Sequence, residues 1–62
     1  MTPLEALIKN IDEKVVQLRE FLSSGRAETF EEYKKMCGEI RGLLSAREYA
    51  SDLNATLENM DD

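Results

Sequence analysis

Large apolar residues stand at Leu4, Ile8, Ile11, Val15, Leu18 and Leu22, separated by four, three, four, three and four positions, with mostly polar residues between them. That repeat is a heptad seam and predicts an amphipathic helix, its apolar stripe widened by Leu7 and Phe21. The run Thr2-Pro3-Leu4-Glu5 supplies a start: Thr2 can cap, Pro3 has the preset φ of a first helical position, and Glu5 can close a capping box. Glu5 and Lys9 add an i,i+4 pair in the favoured order. Ser23-Ser24-Gly25 supplies a stop, with Gly25 free to take the left-handed conformation that ends helices. The pattern therefore predicts a helix over about 3–23 and a turn over about 24–29.

A second start follows in Thr29-Phe30-Glu31-Glu32, with Thr29 as cap and Glu32 reaching back. Apolar positions then recur from Phe30 and Tyr33 through Met36, Cys37, Ile40, Leu43, Leu44 and Tyr49 to Leu53, Leu57 and Met60, with no proline among them. This predicts a helix over about 30–58, then an acidic C-terminal end. A connection this short folds two helices back on each other. The expected fold is an all-α, antiparallel two-helix hairpin with a longer second helix, forming a single domain over residues 1–62. With the turn centred near Arg26, Val15 would face Cys37 and Leu4 would lie near Ala46 to Glu48. The second helix would then overhang the first by about ten residues, or about 15 Å.

Two features of the second helix stand out against that plan. Gly38, Gly42, Ala46 and Ala50 recur every four residues, although each interior glycine costs about 1 kcal/mol relative to alanine. A line without bulk lets another backbone approach, so Gly38, Gly42 and Ala46 are expected to serve close helix packing. The partner is either the first helix or a helix of another chain. The second feature is Ala50, Leu53, Leu57 and Met60, spaced three, four and three on the expected overhang. The first helix cannot reach them there, which makes them the expected partner-binding residues. Burying each large side chain is worth roughly 1.5 to 3 kcal/mol.

Sixty-two residues with one cysteine and no histidine narrow the chemistry. Cys37 cannot close an internal disulfide, and neither a zinc ligand set nor any other cofactor site is implied. Cys37 falls on the expected inner face, where it reads as a small apolar filler with no histidine to activate it. Carboxylates at helical spacing occur by chance in a chain this charged, and two helices make no deep cleft, so no catalytic residue is assigned and no enzyme is expected. No apolar run approaches a bilayer span, and Met1 to Glu5 lack the features of a secretory signal; a soluble chain inside a cell, without membrane contact, is expected.

The net charge of −5 argues against a general nucleic-acid partner. Residues 1–47 hold eight acids and eight bases, whereas residues 48–62 hold Glu48, Asp52, Glu58, Asp61 and Asp62 with no base. The acidic end is either a solubility device or a means of steering toward a basic surface.

The run Phe21-Leu22-Ser23-Ser24-Gly25-Arg26-Ala27, then Tyr33, then Cys37-Gly38-Glu39-Ile40-Arg41-Gly42-Leu43, resembles short helical proteins encoded near the head and portal genes of tailed bacteriophages. The likeness covers about a third of the chain. It implies a small virion or assembly component that docks on a larger capsid or portal protein, found in the virion or the host cytoplasm. The alternatives are a homodimeric helical-bundle regulator or adaptor, in which the partner is the protein itself, and an acidic inhibitor of a host protein.

Overall fold

A computed structural model of the chain describes residues 1–60 and contains two helices, α1 (Pro3–Ser23) and α2 (Phe30–Asn59), with no strand among those residues. Asp61 and Asp62, the last part of the expected acidic end, lie outside the described residues. The helices pack side by side as an antiparallel hairpin in which α2 is the longer, 30 residues against 21.

Each terminus is fixed by local chemistry that the sequence carries. The Glu5 amide donates to Thr2 Oγ1 (3.1 Å), and the Glu32 amide to Thr29 Oγ1 (3.0 Å). At α2 the returning bond is displaced by one residue: the Glu32 carboxylate accepts from the Glu28 amide at 3.3 Å rather than from the cap itself. Replacing Thr29 by Ala leaves a first-turn amide without its partner and should cost about 1 kcal/mol. A denaturant titration reads this loss.

The end of α1 is a Schellman closure. Gly25 takes φ +78, the Gly25 amide donates to Leu22 O (3.1 Å), and the Arg26 amide to Phe21 O (3.4 Å). Ser24 Oγ adds a bond to Phe21 O at 2.8 Å.

The interior is one seam thick. Ile11, Val15, Leu18 and Ala50 are buried, and Met36, Cys37, Ile40, Leu43, Arg47 and Asn54 line the α2 side half-covered. The hydrophobic seam of α1 thus packs as its spacing predicts. The α2 side is apolar only in its first half, because Arg47 and Asn54 occupy seam positions in the second.

The axial register differs from the expected one. Arg47 forms a two-pronged ion pair with Asp12, its Nε donating to Oδ1 and its Nη2 to Oδ2 at 3.3 Å. A turn centred on Arg26 would have set Asp12 against Ile40, seven positions earlier. Thr2, Pro3 and Leu4 accordingly share a cleft with Asn54, Leu57 and Glu58 instead of meeting Ala46 to Glu48. The cause is the connection. After Gly25 the chain does not reverse on the spot: residues 26–28 are irregular and Thr29 is extended (φ −129, ψ 158). Four such residues can span about 13 Å, so α2 begins beyond the end of α1. The surplus length of α2 lies at the turn, where Phe30 and Tyr33 are exposed, and there is no ten-residue overhang at the carboxyl end.

The small-residue line also needs correction as an intramolecular contact. Gly38, Gly42 and Ala46 are exposed, and a Cβ built on Gly38 or Gly42 would meet nothing within 4 Å. A four-residue step turns 400° around a helix, so the line drifts about 40° per step. It crosses the seam only at Ala50, which is buried, and leaves the other three on the flank.

Candidate interaction surface

The flank that carries Gly38, Gly42 and Ala46 continues through Tyr49, Leu53, Leu57 and Met60 at helical spacing. From Tyr49 to Met60 no charged residue falls on that line, although Asp52 and Glu58 are interspersed with it in sequence; at the amino-terminal end Glu39, about five turns from Leu57, borders it. Tyr49 is 74% exposed, Met60 73%, Leu53 50% and Leu57 46%. The amino-terminal half of the line is therefore shallow and the carboxyl-terminal half is bulky and apolar.

The position of α1 follows from the ion pair. Asp12 and Arg47 meet on one broad face of the hairpin. Leu7 precedes Asp12 by five residues and Leu53 follows Arg47 by six, which turns both roughly to the other broad face and to the same level. Leu7 is itself 46% exposed. The face bearing Asp12 also carries a shallow groove lined by Glu5, Ile8, Lys9, Glu13, Val16 and Gln17; on the face bearing Leu7 and Leu53 the exposed large residues are apolar, and Lys14 stands about two turns beyond Leu7.

Of the four expected partner-binding residues, the structure leaves Leu53, Leu57 and Met60 accessible and removes Ala50, which belongs to the seam between the helices. Leu57 is partly screened by its neighbours at the start of α1. Tyr49 and Leu7 join the surface, although their apolar character suggested the interior. Measured around the helix from Leu43, Tyr49 lies six residues and about 120° away, which is the signal that marks it as outward.

A separate aromatic group occupies the projecting first turn of α2. Phe30 and Tyr33 stack with ring centroids 6.4 Å apart, and Lys34 Nζ lies 5.5 Å from the Phe30 centroid. The neighbouring Cys37 side chain, one turn on, holds the Tyr33 phenol above its usual range. Arg47 is held above its usual range by its hydrogen bond to Asp12 and then by that charge. The pair is well exposed on both sides, and what it supplies is alignment of the two helices more than stability.

No group of three or more His, Cys, Asp or Glu among the described residues is gathered in a way that could hold a metal ion. No described helix is long and apolar enough to cross a membrane. Comparison of the chain with family models, curated proteins and solved structures finds no match.

Proposed function

We propose that the chain is a non-enzymatic protein–protein interaction module, and that it acts as a small bacteriophage virion or assembly component docking on a larger capsid or portal protein. The observation that carries the interaction reading is the carboxyl-terminal flank of α2, on which Tyr49, Leu53 and Met60 stand exposed with no charge on their line, while the seam buries four of the described residues well. Apolar side chains grouped on one face, with charges kept off their line, are what a docking surface requires. The phage assignment is supported by the resemblance of the stretch from Phe21 to Leu43, and it places the protein in the virion or the host cytoplasm.

Mass spectrometry of purified particles tests that assignment, with the chain expected among the minor components. Leu53→Asp tests the surface. Leu53 is half exposed, so the hairpin should lose no more than about 1 kcal/mol of stability and stay folded. Incorporation into particles should fall by roughly tenfold or more, the cost of losing one buried leucine at an interface. Wild-type incorporation of the variant would place the docking surface elsewhere.

A further inference from the structure

We infer that the occupant of the apolar face is a second copy of the same chain, crossing antiparallel with Tyr49 on the two-fold axis. The inference rests on the interaction-module reading alone: it gives this face to a second copy, and in a particle the dimer would meet the capsid or portal protein through its outer surface. The flank has two unlike halves about Tyr49, and they are complementary to each other. Eleven residues before Tyr49 stands Gly38, and eleven residues after it stands Met60. Gly42 and Ala46 lie seven and three before it, and Leu53 and Leu57 four and eight after. A two-fold rotation at Tyr49 therefore brings the bulky half of each copy onto the shallow half of the other. Self-complementarity of this kind is what an isologous dimer needs. It also gives the exposed glycines a use, since nothing within the hairpin approaches them.

Charge selects the same direction. Within the part of α2 that overlaps, residues 38–47 carry Arg41 and Arg47 against Glu39, whereas residues 48–60 carry Glu48, Asp52 and Glu58 with no base. Parallel packing would set acid beside acid. Antiparallel packing sets the mixed, slightly basic half of each copy beside the acidic half of the other.

The available area is sufficient for a specific contact. The overlap from Gly38 to Met60 runs about 34 Å along the helix, and the hairpin is 18 Å wide. That amounts to about 600 Å² per copy, or about 1,200 Å² in all, the lower edge of specific interfaces. The dimer is therefore a concentration-dependent one whose four helices enclose the apolar face as a second core layer.

The test combines sedimentation equilibrium of the full chain, from low micromolar to millimolar concentration, with engineered disulfides in a Cys37→Ser background. Wild type should shift from one to two chain masses. Tyr49→Cys, at the axis, should cross-link readily on oxidation, whereas Ser51→Cys, on the other flank, should not. Gly42→Leu should fold at least as well as wild type when dilute, yet raise the dimer dissociation constant at least tenfold. A chain that stays monomeric throughout overturns the inference, as does a dimer that cross-links equally through Ser51→Cys or tolerates Gly42→Leu. A monomer still found in particles would remove the self-pairing and keep the docking reading with a different protein on this face. A dimer absent from particles would do the reverse.

Discussion

Leu18→Ala is expected to remove a large share of the stability of the isolated chain, about 2 to 3 kcal/mol. Leu18 is 8% exposed and is, with Ile11, Val15 and Ala50, one of four well-buried residues among those described. A domain of this length carries roughly 3 to 9 kcal/mol in total. There is no second layer of side chains to relax into the space, because the seam is a single row between two helices. Thermal melting followed by circular dichroism should show a midpoint lowered by about 10 to 20 °C. Leu44→Ala makes the control: Leu44 is 39% exposed and should cost about 1 kcal/mol or less. If the two variants melt alike, the interior in solution does not follow the α1 seam.

The double variant Gly38→Ala, Gly42→Ala should move stability in the other direction. Both glycines lie inside α2 with open space where a Cβ would go. Alanine at an interior helix position is favoured over glycine by about 0.8 to 1 kcal/mol, so the pair should add roughly 1.5 to 2 kcal/mol. Melting of a dilute sample, in which association is minimal, should show a rise of about 8 °C or more. A fall instead would mean that another helix lies against those glycines within the folded hairpin. The expected rise also shows that the chain forgoes local stability at these two positions, as a surface kept shallow for an incoming partner would.

The elements were legible in the sequence because their signals are local. Thr2, Thr29 and Gly25 each fix a terminus through bonds to residues at most five positions away, and the α1 seam repeats without a break. The register was not legible. It depends on the path of residues 26–29, and a six-residue connection can either reverse tightly or run alongside the helix it leaves. The Asp12–Arg47 pair that marks the observed choice joins two residues 35 positions apart, each of which looks like any other surface charge.

The candidate surface was legible in part for a related reason. Leu53, Leu57 and Met60 could be read as lacking cover, but their spacing from Ala50 does not reveal which of them turns inward. That requires knowing where the α2 seam lies. Arg47 and Asn54 hide it by putting polar side chains at two of its positions, and Tyr49, apolar yet outward, compounds the error.

The start of α2 beyond the last residue of α1 gives the hairpin a direction of melting. Its opening turn has no neighbouring helix and is held by local contacts, the Thr29 cap, Glu32 and the Phe30–Tyr33 stack, whereas at the far end Leu4 and Leu57 line one shared cleft. Disorder entering at Phe30 has no seam contact to break before Met36, so the bend can fray while the buried middle of the hairpin stays closed.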